Sequence, residues 1–114
     1  EITIDLEPNN VLAYLGHGQA QLEKKEYVRA IENYDEAIRL DPNFADAYYY
    51  RGKTRQAMGD PNNALLDYNM TIDLEPNNVL AYLSRGSAYI ELMQYNSYKI
   101  LLIIRSEEVL LQYI

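Results

Sequence analysis

Side chains suited to catalysis or metal binding are few and scattered in this sequence. The 114-residue chain has one histidine, His17, and no cysteine, which argues against a zinc site of the usual kind and a disulfide framework. Its carboxylates are spread through segments such as LEKKEY, ENYDEA and DLEP, mostly on faces without apolar neighbours. Neither a glycine-rich phosphate loop nor a nucleophile elbow is present in the sequence. We therefore predict that the chain is not an enzyme and needs no metal or cofactor.

The charge balance argues against two large classes of partner. Seventeen acidic residues against ten basic ones give a net charge of −7, which disfavours nucleic-acid phosphates and anionic membrane surfaces. The longest apolar run, residues 100–104, is far too short to cross a bilayer. No signal-peptide pattern opens the sequence. We predict a cytoplasmic protein with no nucleic-acid partner and no membrane partner.

The elements that position these side chains follow from an internal repeat. TIDLEPNNVLAYL occurs at residues 3–15 and again at 71–83, and a fainter copy, AIRLDPNFADAYY, lies at 37–49. The three copies are spaced 34 residues apart, as their prolines show: Pro8, Pro42 and Pro76. A fixed period of this length is typical of a solenoid built from stacked supersecondary units.

Each period contains two helices. Apolar and small residues recur at helical spacing, a proline closes each unit, and Asn10, Asn43 and Asn78 are expected to cap the helices that follow. The turn Gly59-Asp60-Pro61 ends one helix and starts the next. The predicted helices are 9–23, 27–40, 44–57, 61–74 and 78–92, with a further helical segment from about residue 96. No segment alternates with period two, so no strand is expected.

Several columns of the repeat match a known family. The columns hold a small residue where two helices cross, a large aromatic residue, and further small and aromatic residues in the second helix. The matching residues are Gly18, Gly52 and Gly86; Tyr14, Tyr48 and Tyr82; Ala30 and Ala64; Tyr34 and Tyr68; and Ala37, with the three prolines. This pattern, over about residues 1–95, resembles the tetratricopeptide repeat, although the family's usual tryptophan is tyrosine here.

The resemblance implies an all-α fold, a right-handed α-α superhelix (solenoid) of about three tetratricopeptide repeats. We divide residues 1–114, a single array, accordingly. Residues 1–10 are expected to be the tail of a preceding repeat, 11–44 the first repeat, 45–78 the second, and 79–114 a third with a degenerate, apolar C-terminal helix. The incomplete first unit suggests a fragment of a longer array.

Polar residues occupy the face on which the two helices of each unit meet. Arg51 and Asp67 lie sixteen residues apart, and His17 and Asn33 hold the same two columns in the first unit. We predict a pair in each hairpin, ionic in the second unit and hydrogen-bonded in the first. The alternative is that Arg51 extends into solvent.

The resemblance also implies a function, because the first helices of such arrays line a concave groove that holds a peptide. On those helices the side opposite the packing stripe carries leucines and tyrosines, which suit a recognition surface. The candidate binding residues are Leu12, Leu15, Gln19, Tyr49, Tyr50, Lys53, Leu80, Leu83 and Ser87. The same faces also hold Leu22, Asp46, Gln56 and Ile90, with Ser84 and Glu91 at the margin. We predict a protein–protein interaction module, an adaptor or scaffold, with a protein or peptide partner. The alternative is a structural spacer or oligomerisation array with no groove ligand.

One use known in the family does not fit. Members that clamp the C-terminal carboxylate of heat-shock chaperones carry Lys, Asn and Arg at defined positions of the first helices. The matching positions here hold Leu15, Gln19, Tyr50, Leu80 and Ser84. The sequence therefore argues against this clamp.

The repeat pattern fails after Tyr95. The next columns hold Tyr98, Leu102 and Arg105, no closing proline follows, and residues 100–104 are apolar all round, as in a helix buried on every side. Ser106 is expected to cap a further short helix. We predict an oligomer interface, most simply a symmetric dimer, although a following segment could also cover this surface; the duplicated sequence also allows equivalent helices to exchange between chains. The interface residues are Ile100, Ile103, Ile104, Leu110 and Tyr113.

Overall fold

The computed structural model describes residues 10–112, without the side chains of 109 and 110. In this part of the chain the structure contains five α-helices and no strand, which confirms the all-α prediction. The helices are α1 (Val11–Glu23), α2 (Tyr27–Leu40), α3 (Ala45–Ala57), α4 (Pro61–Leu74) and α5 (Val79–Leu111). The first four begin and end within two residues of the predicted bounds. The predicted tail at 1–10 lies almost entirely outside the described residues.

Local side-chain chemistry explains where the helices start. The side chain of Asn10 accepts a hydrogen bond from the backbone N–H of Ala13 at 3.1 Å, and Asn78 does the same for Ala81 at 3.0 Å. Such bonds satisfy amide groups that have no partner within the helix. The prediction for Asn43 was wrong, because α3 has Phe44 at its N-cap and no side-chain cap.

Two tight turns join α1 to α2 and α3 to α4, so that each pair forms an antiparallel hairpin. Lys25, between α1 and α2, has φ +63°, and Gly59, between α3 and α4, has φ +84°. This left-handed conformation reverses the chain and is easiest for glycine. After Gly59, the Asp60 side chain accepts from the Asn63 amide and Pro61 occupies the first turn of α4. Each hairpin is therefore closed by residues adjacent in the sequence.

The helices pack in chain order, each against the next, and α3 also touches both α1 and α5. Within the hairpins the backbones approach closely at a glycine. A Cβ built on Gly52 would lie 2.7 Å from Cε1 of Tyr68, and one on Gly18 would also overlap the ring of Tyr34. Both tyrosine rings are fully buried. A side chain at either glycine would therefore require the two helices to separate.

Repeated tyrosines also tie α3 and α5 to the turns that precede them. The Tyr48 hydroxyl donates to the carbonyl of Pro42 at 2.8 Å, and the Tyr82 hydroxyl donates to the carbonyl of Pro76 at 3.0 Å. The same six-residue step occurs in both places because the repeat period is constant. A tyrosine hydroxyl can make this bond while its ring packs, which gives the aromatic column a polar role as well.

The third unit differs from the sequence prediction. A break between 92 and 96 was expected, but α5 runs without interruption for 33 residues. Ser106 does not cap a new helix, because its hydroxyl donates to the Leu102 carbonyl one turn earlier at 3.0 Å. A helix of this length spans about 50 Å, and it accounts for the elongated dimensions of 70 × 32 × 19 Å.

Candidate functional site

The helices α1, α3 and α5 leave an open groove, centred between α3 and α5, with a volume of about 600 Å³. Its walls combine leucines, one tyrosine and short polar side chains. Ten residues line it: Leu22, Tyr49, Lys53, Gln56, Ala57, Leu80, Leu83, Ser84, Ser87 and Glu91. The side chains of Leu80 and Leu83 are 60% and 66% exposed. The groove thus offers apolar surface that residues 10–112 leave uncovered.

The structure places the predicted site residues unequally. Five of the predicted binding residues line the groove: Tyr49, Lys53, Leu80, Leu83 and Ser87. It is also lined by Leu22 and Gln56, which the sequence placed on the same faces, and by Ser84 and Glu91 from the margin. Ala57 was missed, although it lies one helical turn after Lys53 on the same face of α3. That spacing was the signal that could have found it.

Other predicted positions lie elsewhere. Leu15 is only 8% exposed and packs in the core with Ala30 and Tyr34, so its assignment as an exposed groove residue was wrong. The remaining candidates do not line the groove: Leu12, Asp46 and Ile90 are exposed, and Gln19 and Tyr50 are half-buried.

Tyrosines support the groove from behind. The ring of Tyr50 stacks on that of Tyr34 with centroids 6.4 Å apart and meets Tyr49 edge-on at 5.1 Å. Tyr49 also lies 6.0 Å from the fully buried ring of Tyr68. This chain of rings connects the core of the first hairpin with that of the second, so the groove-facing Tyr49 is held from two sides.

A row of hydrogen bonds crosses the floor of the groove. The Tyr68 hydroxyl donates to Oε1 of Gln56 at 2.7 Å. The amide nitrogen of Gln56 donates to Oγ of Ser87 and to Oε1 of Glu91, both at 3.1 Å. The hydroxyls of Tyr49 and Ser84 lie 3.4 Å apart. These bonds link α4, α3 and α5, and they fix the orientation of the polar groups in the groove.

The predicted ionic pair is present. Asp67 is 2% exposed, and its carboxylate accepts from Nη2 of Arg51 at 2.8 Å and from Nη1 of Arg55 at 2.9 Å. Arg51 also donates to Asp35 of α2 at 2.8 Å, and its guanidinium lies 5.5 Å from the Tyr48 ring centroid. Burial opposes the Arg51 charge, but hydrogen bonds to the two aspartates outweigh it and raise its pKa. This network joins three successive helices.

The predicted pair in the first hairpin does not form. His17 is exposed, and Asn33 instead donates to Oε1 of Gln21 at 2.6 Å. The physical reason is reach, since Gln21 lies one turn further along the packing face of α1 and presents an acceptor there. On α5, Arg85 donates to Asn69 of the preceding helix at 2.9 Å, in the same columns as the bond from Arg51 to Asp35.

The predicted interface residues that are described lie on the surface of α5. Ile100, Ile103 and Ile104 are 56%, 55% and 46% exposed. Leu110 has no described side chain, and Tyr113 lies outside the described residues. Within residues 10–112, no helix combines the length and hydrophobicity that a bilayer crossing requires. The same residues contain no cluster of histidine and carboxylate side chains arranged to hold a metal ion.

Two family models match the chain. One, described as TPR repeat, covers residues 18–59, and the other, described as tetratricopeptide repeat, covers residues 46–78. Together they span more than half of the 114 residues. No curated protein matches the chain.

Solved structures with similar folds include two peptide complexes. The first TPR of Spaghetti (RPAP3) bound to the HSP90 peptide SRMEEVD is 27% identical, with a TM-score of 0.76 over 79% of this chain and 71% of that one. The second TPR domain of human RPAP3 with the HSP70 peptide SGPTIEEVD is 28% identical, with a TM-score of 0.72 over 75% and 72%. The MamA protein is 32% identical, with a TM-score of 0.75 over 82% of this chain and 51% of that one.

Proposed function

Because this chain belongs to the tetratricopeptide repeat family, we propose that it is a protein-interaction module that binds a peptide segment of its partner in the groove between α3 and α5. The observation that carries the proposal is the pairing of two exposed leucines, Leu80 and Leu83, with a fixed row of polar groups across the floor of the groove. Apolar surface supplies affinity, and prearranged polar groups supply orientation. Two related structures hold peptides, as their descriptions state.

The groove favours a ligand that is not acidic. Lys53 is the sole basic residue among the described lining residues, and Glu91 adds a carboxylate to the same groove. The net charge of the chain is −7. The heat-shock peptides in the related complexes each contain two glutamates and a terminal aspartate. We therefore propose a neutral or basic segment that inserts apolar anchors beside Tyr49, Leu80 and Leu83.

A binding experiment with two kinds of probe tests this proposal. A library of synthetic peptides with leucine or phenylalanine anchors in neutral or basic backgrounds is titrated against the full chain, with SRMEEVD as the acidic comparison. Saturable binding is expected for members of the library and not for SRMEEVD. Tyr49→Ala is expected to weaken a bound peptide by about 1–3 kcal/mol, the range of a central interface residue.

Matched variants separate binding from folding. Tyr49 contacts the core, so its truncation is paired with Leu83→Ala, which removes an exposed groove side chain. Leu12→Ala is the control, because Leu12 is 69% exposed and does not line the groove. A loss of peptide affinity in Tyr49→Ala and Leu83→Ala, but not in Leu12→Ala, supports binding in the groove. If no library member binds saturably, the spacer alternative stands instead, and tight binding of SRMEEVD contradicts the charge preference.

We also propose that the chain self-associates through the C-terminal half of α5 (residues 95–111). Leu101 is 62% exposed, and its neighbours at 100 and 103 are more than half exposed. A continuous apolar surface of this kind marks an interaction site on a soluble protein. Sedimentation velocity over a dilution series is expected to show a concentration-dependent dimer. A monomer at every concentration contradicts self-association and leaves the peptide-binding proposal untouched.

A further inference from the structure

The helix α5 carries a packing surface that nothing in the described chain covers. On α1 and α3, the glycine of the crossing column lies under a buried tyrosine ring. A Cβ built on Gly86 meets no atom within 4 Å, and the flanking Tyr82 and Tyr89 are 43% and 48% exposed. We call Tyr82, Gly86 and Tyr89 the uncovered surface of α5. These residues hold the columns that pack against the second helix in the first two units, but no second helix lies against them in the described chain.

The spacing of the repeat identifies the residue that fits there. In both closed hairpins the covering tyrosine follows the glycine by sixteen residues, at Tyr34 after Gly18 and at Tyr68 after Gly52. Sixteen residues after Gly86 stands Leu102, which is 51% exposed. In a straight helix these two residues are about 24 Å apart along the axis. Leu102 therefore cannot cover Gly86 of its own chain while α5 is straight.

The sequence between them explains why α5 does not fold back. The turn columns that hold Met58, Gly59 and Asp60 in the second hairpin hold Leu92, Met93 and Gln94 here. Gly59 has φ +84°, a conformation that costs other L-residues about 1–2 kcal/mol. Methionine, by contrast, is a good helix former. The turn signals are absent from these columns, and the helix continues.

We propose that two copies of the chain pair their α5 helices antiparallel, so that Leu102 of each copy covers Gly86 of the other. This inference rests on the self-association proposed above and specifies its geometry. The midpoint between positions 86 and 102 lies at Gln94, so a two-fold axis there makes the arrangement self-complementary. Each copy then donates the C-terminal half of α5 as the missing second helix of the other copy's third repeat. The occupant of the uncovered surface is a second copy of this chain.

Charge and polarity agree with a pairing between identical helices. The chain as a whole is acidic, but α5 carries three basic residues and three acidic ones, so two copies of it bring no net charge together. Leu101 stands where the second hairpin has Asp67, so the new contact replaces the carboxylate of the α3–α4 pair with an apolar side chain. Arg85, in the column of Arg51, already donates to Asn69 and does not require that carboxylate.

The exchange would also complete the peptide groove. The wall formed by Leu80 and Leu83 belongs to the N-terminal half of α5, and the described part of the chain places no second helix of that unit behind it. In the dimer the other copy supplies that helix and holds the wall in place. Two grooves then belong to one assembly, so a partner with two binding segments gains affinity by engaging both.

Engineered disulfides test the geometry directly, because the chain contains no cysteine. In the second hairpin a Cβ built on Gly52 lies 3.1 Å from Cβ of Asp67, close to the separation of about 3.5–4.5 Å that a disulfide spans. The equivalent positions in the third unit are Gly86 and Leu101. The double variant Gly86→Cys with Leu101→Cys is expected to form a covalent dimer under mild oxidation. Gly52→Cys with Asp67→Cys is the intrachain comparison, and its helix content is checked by circular dichroism, because a side chain at Gly52 meets the Tyr68 ring and Asp67 pairs with Arg51.

Each outcome decides the question. Covalent dimers from the double variant, and from mixed single variants but not from either alone, support the exchange, because identical positions are more than about 20 Å apart in the pairing. A disulfide-closed monomer shows that α5 folds back, and an absence of disulfide shows that the surfaces do not meet; both overturn the inference. Gly86 has open space and Leu101 is exposed, so the variants retain the fold. If the wild type forms a dimer but the double cysteine variant does not cross-link, self-association stands and only this register is refuted.

Discussion

The second hairpin and α5 carry the same repeat columns but form different structures. In α3 and α4 the chain reverses at Gly59, and Tyr48 is 8% exposed. In α5 the chain continues, and the equivalent Tyr82 is 43% exposed. Both segments have the glycine and the tyrosine of the first helix, but the second-helix columns that hold Ala64 and Tyr68 hold Tyr98 and Leu102 in α5. The comparison teaches that the packing residues of the first helix alone do not close a unit, because α5 lacks both the turn residues and the packing residues of the second helix.

Burial follows from that difference. Gly52 and Tyr68 bring the helices of the closed hairpin into contact and leave no space at the crossing. Gly86 holds the equivalent position in α5, but a Cβ built on it meets no atom within 4 Å. A glycine in a helix interior costs about 1 kcal/mol relative to alanine, and only close packing compensates for this. In the closed hairpin the compensation is visible, and in an isolated α5 it is missing.

Transplanting the turn is expected to have the largest effect. Met93→Gly, Gln94→Asp and Tyr95→Pro together copy the second turn into α5. Glycine and proline inside a helix cost about 1 and 3 kcal/mol, so the straight helix should break and the C-terminal half should fold onto Gly86 of its own chain. Sedimentation velocity is expected to show a monomer where the wild type shows a dimer. Alanine at the same three positions is the control, and it should preserve the dimer; a dimer in both variants would mean that the turn does not govern the pairing.

The two glycines provide a second, smaller contrast. Alanine at either position gains the same helix propensity, so the difference between the variants measures packing. Gly52→Ala places a methyl group 2.7 Å from the buried Tyr68 ring, whereas Gly86→Ala enters open space. We expect Gly52→Ala to be less stable than Gly86→Ala by about 1–3 kcal/mol, the usual cost of overpacking. Urea denaturation at a dilution where the chain is monomeric measures it, because in the proposed dimer Leu102 of the other copy covers Gly86. Equal losses at that dilution would show that Gly86 is covered within its own chain.

The two core tyrosines differ in one hydrogen bond and should show the smallest effect. The Tyr68 hydroxyl donates to Gln56, whereas the buried hydroxyl of Tyr34 has no partner with hydrogen-bond geometry among the described residues. Tyr68→Phe is therefore expected to cost about 1 kcal/mol. Tyr34→Phe should be neutral or slightly stabilising at pH 7. Thermal or urea denaturation of both variants is the measurement, and a larger loss for Tyr34→Phe would contradict the assignment.

Alkaline pH extends this contrast. Burial raises the pKa of Tyr34 to about 12, and the nearby Thr54 hydroxyl offsets only part of this effect. In the unfolded chain tyrosine ionises near pH 10, so the stabilisation is complete below pH 10 and is lost as the pH rises towards 12. The free energy of unfolding of the wild type should fall through this window. Tyr34→Phe should fall less steeply, and an identical slope in both proteins would refute the shift.

Parts of the site could be predicted from the sequence because they depend on residues a few positions apart in the same helix. Helical spacing placed Tyr49, Lys53, Leu80, Leu83 and Ser87 on the faces that line the groove. It failed for Leu15, which has the same spacing but is buried. Periodicity gives the angular position of a side chain on its helix, and it does not say how far a neighbouring helix covers that angle.

The polar contacts divide in the same way. The Arg51–Asp67 pair was predicted because it repeats a sixteen-residue offset within one hairpin. The pairing of Asn33 with Gln21 and the bonds from Gln56 to α5 were not predicted. Those contacts depend on side-chain reach and on the separation between units, neither of which has a sequence period.

The sequence by itself determined the first four helices, the caps at Asn10, Asp60 and Asn78, and the turn at Gly59, since these are set by propensities and hydrogen bonds between residues a few positions apart. The loss of turn residues at Met93 and Gln94 was also local, and it accounts for the continuous α5 that the repeat pattern obscured. Only the tertiary structure decided that Leu15 is core and Leu83 is surface, that Gln56 joins three helices, and that Gly86 is uncovered. These properties arise where units meet, and there the distance between helices is fixed by all the packed side chains together.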